Sequence, residues 1–136
     1  MNLAIKEAQK ALEDEEMPVG AVIVKNGEII SVGHNTKEKA KNCIMHAEII
    51  AINMACEKLN DWRLNDCELY VTLEPCLMCM GAILESRIKT VYCNCINKKY
   101  HDLNVEIAKN YKINIIYDTT SQNNQIEKFF SNIRSK

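Results

Sequence analysis

The sequence predicts an α/β protein with one mixed sheet of five strands and helices on both faces. Three observations carry that reading. Asn26-Gly27 separates two apolar segments, and both residues tolerate positive φ, the strongest short-range signal for a β-hairpin. From His46 onward, helical periodicity alternates with short apolar runs, the pattern of consecutive βαβ units. Leu69-Tyr70-Val71-Thr72-Leu73 is nearly continuously apolar, as a central strand covered on both faces must be. At 136 residues the chain has the length of a single domain, 1–136.

The elements follow in order. Leu3 to Glu16 is a helix, with Ala4, Ile5, Ala8, Ala11 and Leu12 at helical spacing and Pro18 as its stop. Gly20–Lys25 and Glu28–Gly33 are the hairpin strands. Asn35 to Met45 is polar and lysine-rich and reads as a loop. His46 to Leu59 is a helix whose apolar face is Ile49, Ile50, Ile52 and Ala55. Glu68–Leu73 is the central strand, stopped by Pro75. Leu77 to Glu85 is a helix, Thr90–Cys93 a strand, and the next segment a helix or loop. Ile113–Tyr117 is the fifth strand. Ser121–Gln125 is a polar loop, and Gln125 to Arg134 a helix turning Ile126, Phe129, Phe130 and Ile133 inward.

Composition narrows the function. Apolar residues are 47% and charged residues 26%, with 4 Gly and 2 Pro, which excludes extended disorder and collagen-like fibres. No apolar run approaches the ~20 residues that span a bilayer. The Met1-Asn2-Leu3-Ala4-Ile5-Lys6-Glu7 start lacks the shape of an export signal. A cytoplasmic protein without membrane attachment is the expectation. Seven cysteines in such a chain point to metal or thiol chemistry, not a disulfide framework. Net charge is −1, but residues 1–68 hold 8 basic against 12 acidic side chains and residues 69–136 hold 9 against 6. The positive half allows an anionic partner.

Two short motifs carry the chemistry. In Pro75-Cys76-Leu77-Met78-Cys79 the cysteines are three apart at a helix start, one turn apart on one side. Two thiolate ligands to tetrahedral zinc need that placement. The helix N-terminus also favours the thiolate. In His46-Ala47-Glu48 the histidine offers a neutral nitrogen ligand. Residues i and i+2 do not face each other along a helix, so His46 and Glu48 converge only if His46 opens the helix. One His and two Cys leave a fourth position open for water, the mark of a catalytic zinc, and Glu48 is a carboxylate placed to move protons there. The pairing of H-x-E with P-C-x-x-C is the signature of zinc-dependent base deaminases. A different assignment uses Cys43-Ile44-Met45-His46: Cys43 with His46, Cys76 and Cys79 would close a structural Cys₃His site in a non-enzymatic zinc module. Cys56, Cys67, Cys93 and Cys95 read as small buried hydrophobes. Trp62 reads as core or rim packing, and His34 and His101 have no partner motif.

With these motifs the sequence resembles the cytidine deaminase superfamily, and within it the bacterial tRNA adenosine deaminases. The resemblance rests on Met17-Pro18-Val19-Gly20-Ala21-Val22, Asn35, His46-Ala47-Glu48-Ile49, Trp62-Arg63-Leu64, Leu69 through Cys79, Gly81-Ala82, Ser86-Arg87-Ile88 and Phe129-Phe130. It is close from residue 3 to about 92. It implies a three-layer α/β/α cytidine-deaminase-like fold and one zinc ion per chain on His46, Cys76 and Cys79, with Glu48 as proton shuttle. It implies that Asn35 hydrogen-bonds the purine and that Val19 and Ala47 line the base pocket. The implied reaction converts the wobble adenosine of a tRNA anticodon loop to inosine, in a homodimer. After the fourth strand the family's glycine-rich stretch is missing. Asn97 stands where an aspartate near the substrate is expected. The alternative within enzymes is a free base, nucleoside or nucleotide deaminase of cytosine, guanine or cytidine type.

Overall fold

A computed structural model describes residues 1–118 and 123–134. The elements are α1 (Asn2–Glu13), β1 (Gly20–Lys25), β2 (Glu28–His34), α2 (Lys37–Ala40), α3 (Ala47–Leu59), β3 (Cys67–Leu73), α4 (Leu77–Glu85), β4 (Thr90–Cys95), α5 (His101–Tyr111), β5 (Asn114–Tyr117) and α6 (Gln125–Arg134). The five strands form one sheet in the order β2-β1-β3-β4-β5. β1 is antiparallel to β2 and to β3, while β3, β4 and β5 run parallel. The hairpin turns at Asn26 and Gly27 with φ of 51° and 77°, the left-handed pair that matches strand twist. Among the described residues no helix is long and apolar enough to cross a membrane.

Helices cover both faces. Gly20 pairs with His34, and Ala21 with Gly33, so the two glycines point to opposite sides. A Cβ on Gly20 would collide with the Ala4 carbonyl of α1, and one on Gly33 would meet Ala47 O of α3 at 2.5 Å. His34 turns toward α1, where its Nδ1 lies 3.2 Å from Oε1 of the buried Glu7. α3, α4 and α5 contact one another in series, and α1 contacts α6. This is the predicted mixed sheet with helices on both faces.

Several details differ from the sequence reading. The first helix ends at Glu13, not Glu16, because Glu15 takes φ 59° and turns Glu16 inward, where it is 1% exposed. The buried stripe of α3 is Ala47, Glu48, Ala51 and Ala55, while the three isoleucines are half-buried. Gly33 brings the helix axis so close that only small side chains fit beneath it. The Asn35–Met45 segment contains the short helix α2, and α5 occupies the segment left as helix or loop. On α6, Phe130 and Ile133 are exposed, because among the described residues that helix packs mainly along α1. Ser121 and Gln122 of the predicted polar loop lie outside the described residues.

Candidate active site

Two helix starts meet at the end of β3. His46 is the N-cap of α3, with φ −83° and ψ 155°, and Cys76 is the N-cap of α4, with φ −72° and ψ 174°. Extended backbone at both caps sends the two side chains off the helix ends toward each other. This resolves the i, i+2 problem: His46 stands outside the helix, and Glu48 sits within its first turn. Cys79 follows three residues into α4 on the same side and is fully buried.

The sulfurs of Cys76 and Cys79 each lie 3.6 Å from His46 Nδ1. A tetrahedral zinc with bonds of about 2.3 Å to sulfur and about 2.0 Å to nitrogen puts its S and N ligands about 3.6 Å apart. The donor set and its spacing therefore fit zinc. Among the described residues this is the one group of His, Cys, Asp or Glu close enough to hold a metal. Cys43 is exposed and outside it, so the geometry is three ligands and not a closed Cys₃His site.

The electrostatics suit a metal and a proton carrier. Hydrogen bonding from Cys79, with help from the neighbouring His46 ring, brings the Cys76 thiol down to about 5, while the Cys79 thiol is pushed up by bonding to Cys76 and by burial. Glu48 is 3% exposed. Burial, reinforced by the charge of Cys76, pushes its carboxyl up to about 7.

A cleft of about 220 Å³ opens above this group, lined by Met17, Val19, Asn35, Lys37, His46, Ala47, Glu48, Leu73, Glu74, Cys76 and Asn97. That is below the ~300–1,000 Å³ typical of drug-sized ligands and suits one flat ring system with the remainder of the ligand outside. Every sequence-predicted site residue except the buried Cys79 lines it. Asn35 Oδ1 accepts the Lys37 N–H at 3.1 Å, and its Nδ2 reaches Met17 O at 3.4 Å. Asn97 Oδ1 accepts the Lys99 N–H at 3.2 Å and its Nδ2 donates to Glu74 O at 3.4 Å, so its amide closes a turn as well as facing the cleft.

Sequence reasoning passed over Glu74. Its carboxylate is 1% exposed and collects the Asn97 N–H (3.2 Å), His101 Nδ1 (3.0 Å), Asn104 Nδ2 (3.2 Å) and the Tyr117 hydroxyl (3.0 Å). Burial and bonding to Glu74 raise the Tyr117 phenol. His101, which had no partner in the sequence, belongs to this hub. The available signal was a carboxylate at the strand end, directly before Pro75-Cys76. Trp62 is on the rim, 51% exposed, with the Arg63 and Arg87 guanidinium groups 4.4 and 5.3 Å from its ring.

The comparisons bear on this geometry. Residues 1–95 match the cytidine and deoxycytidylate deaminase zinc-binding region. A tRNA-specific adenosine deaminase of Aquifex aeolicus is 51% identical over 100 residues, covering 74% of this chain and 66% of its own. That of Bacillus subtilis is 50% identical over 99 residues, covering 73% and 62%. The chain thus matches less than two thirds of the length of these curated relatives. A solved structure from work on A-to-I editing by tRNA:A34 deaminases superposes with a TM-score of 0.71 at 44% identity, over 73% of this chain and 76% of that one. A guanine deaminase structure from Bacillus subtilis superposes with 0.68 at 30% identity, over 99% and 91%.

Proposed function

The chain belongs to the zinc-binding cytidine and deoxycytidylate deaminase family, and from that premise we propose that it hydrolyses the exocyclic amine of a nucleobase. The substrate is the wobble adenosine of a tRNA anticodon loop; water is consumed, and inosine and ammonia are released. The observation that carries the proposal is the triangle of His46, Cys76 and Cys79 with the buried Glu48 beside it, under a cleft sized for one ring.

His46, Cys76 and Cys79 would hold one zinc ion per chain, which supplies Lewis acidity and an acidified water when bound. Glu48 is the proton carrier. A carboxyl brought near 7 by burial can take a proton and return it at neutral pH, to the ring nitrogen and then the departing amine. Glu74 cannot share that task, because both its oxygens are occupied by fixed donors. Val19 and Ala47 form the apolar walls of the ring slot. Asn35 uses the remaining hydrogen-bonding capacity of its amide toward the purine edge, and Asn97 faces it from the opposite wall. The reacting groups lie at the bottom of a narrow cleft, so the base must arrive unpaired and splayed out, as in a loop. A cytoplasmic homodimer belongs to the same proposal. Exposed Ile44, Leu77 and Met78 beside the ligands supply apolar surface for it.

A second reading has its own observation. The guanine deaminase structure matches nearly the whole chain, including the part beyond residue 95, where the resemblance to tRNA-acting relatives fades. Ammonia release from tRNA, adenosine, guanine, cytosine and cytidine separates the two. Turnover on tRNA above every free compound, abolished by Glu48→Ala with zinc retained, supports the proposal. Turnover on guanine with none on tRNA transfers the assignment to a free-base deaminase.

A further inference from the structure

The segment that carries Asn35 is a wall of the cleft, and it is held from beneath. Asn35 Oδ1 accepts the Lys37 N–H at 3.1 Å. Glu16, 1% exposed, accepts the Glu38 N–H on one oxygen at 2.9 Å and the Lys39 N–H on the other at 2.7 Å. Two buried side chains thus take three consecutive backbone donors of α2. That helix has four residues, none of them buried, and a helix so short has no stability of its own. Its position is set by Asn35 and Glu16.

The clamp fixes where Lys37 stands. Lys37 lines the cleft, and among the described residues no carboxylate pairs with its ammonium group. Its neighbour Lys39 lies within 3.9 Å of Asp14. The α2 amides are already spent, so the ammonium of Lys37 is the donor this wall presents. Asn97, which also lines the cleft, leads into exposed Lys98 and Lys99. Because the cleft accepts one ring system, whatever else a substrate carries must cross the mouth past these residues. A free base has nothing to offer there. A nucleotide within a strand offers its phosphates.

We propose that Lys37, fixed at the cleft mouth by Asn35 and Glu16, receives a phosphate of the nucleic-acid strand whose base occupies the cleft. The inference rests on the deaminase proposal and deepens it, since it makes a phosphate-bearing strand the preferred substrate. Each phosphate contact on a single strand contributes a salt slope of about −0.7. At 0.1 M salt, removing one contact therefore weakens binding about fivefold.

The test compares zinc-loaded wild type, Lys37→Met, Lys37→Arg and Lys109→Met, the last a charge-matched change on exposed α5. An RNA hairpin with adenosine in its loop is assayed for ammonia release from 0.05 to 0.3 M salt. Lys37→Met should raise KM about fivefold at 0.1 M salt and flatten the salt slope by about 0.7, with kcat and zinc content unchanged. Lys37→Arg should restore KM, and Lys109→Met should leave both parameters at wild-type values. Wild-type activity on the hairpin with KM and slope unaltered in Lys37→Met overturns this inference alone. A wild type inactive on the hairpin overturns the RNA substrate proposed above, and this inference with it.

Discussion

Gly33→Ala tests whether the sheet–helix spacing sets the catalytic geometry. A Cβ at residue 33 would sit 2.5 Å from Ala47 O, 3.0 Å from Ala51 N and 3.2 Å from Ile50 Cβ. The first two are backbone atoms of α3, so no side chain can swing away, and the start of the helix must lift by several tenths of an ångström. Overpacking of this kind costs about 1–3 kcal/mol. For a chain of this size each kcal/mol lowers Tm by roughly 3–5 °C, so a fall of about 3–15 °C is expected. Ala47 lies between His46 and Glu48, so the same displacement reaches both proposed reacting groups. Misplacement on the 1 Å scale can cost ~10²-fold in rate. Gly81→Ala is the matched control: a Cβ there meets nothing within 4 Å, and the residue lies inside α4. It should stabilise by up to about 1 kcal/mol. Thermal melts and ammonia release on both variants are the assay. A Gly33→Ala protein with wild-type Tm and rate would refute the argument that close α3 packing positions the site.

The metal and the polar hub give further expectations. Cys76→Ser and Cys79→Ser should each lose zinc in metal analysis; full occupancy in both would remove the ligand assignment. Metal binding needs deprotonated sulfur, so affinity falls as protons return. Both sulfurs must shed a proton to bind, and bonding to Cys76 and burial raise the Cys79 thiol even as the Cys76 thiol is lowered. Zinc should therefore pass to a chromophoric chelator more readily as the pH falls; an affinity that does not change with pH would contradict this. Glu74→Gln replaces one carboxylate oxygen by an NH₂ group, which then faces either the Asn97 N–H or the Asn104 and Tyr117 donors. The cost of a buried unsatisfied group is about 1–3 kcal/mol, which should appear as a Tm decrease with faster amide exchange across residues 97–104; unchanged exchange would mean the hub does not anchor that segment.

The readable parts of the sequence were those with local causes. The hairpin turn is written in two adjacent residues, the cluster of His46, Cys76 and Cys79 in two short spacings, and the central strand in one apolar run. The parts that were not readable depend on contacts between distant residues. Helix propensity gives no hint of α2, because two of its amides are held by Glu16, 22 and 23 residues earlier. The buried face of α3 falls on alanines and not isoleucines for a reason located in β2, at Gly33. His101 has no partner motif in the sequence, and Tyr117 reads only as the end of a strand, because the carboxylate they serve lies 27 and 43 residues before them.

Glu74 also bears on the departure from the family pattern after β4. The glycine-rich stretch is absent there, and a loosened cleft wall would be the simple expectation. The structure ties the replacement down instead. Asn97, His101, Asn104 and Tyr117 come from the loop, from α5 and from β5, and all four converge on one buried carboxylate. That carboxylate stands two residues before Cys76, at the end of the same strand that delivers the ligand. The wall carrying Asn97 is therefore referenced directly to the proposed metal ligands. Glu16 in turn anchors the wall carrying Lys37 through the Glu38 and Lys39 amides. Two buried glutamates thus anchor segments that line the cleft, while a third, Glu48, is the proposed proton carrier. The division follows from their partners: a carboxylate surrounded by fixed donors holds position, and one raised by burial toward neutrality can exchange a proton.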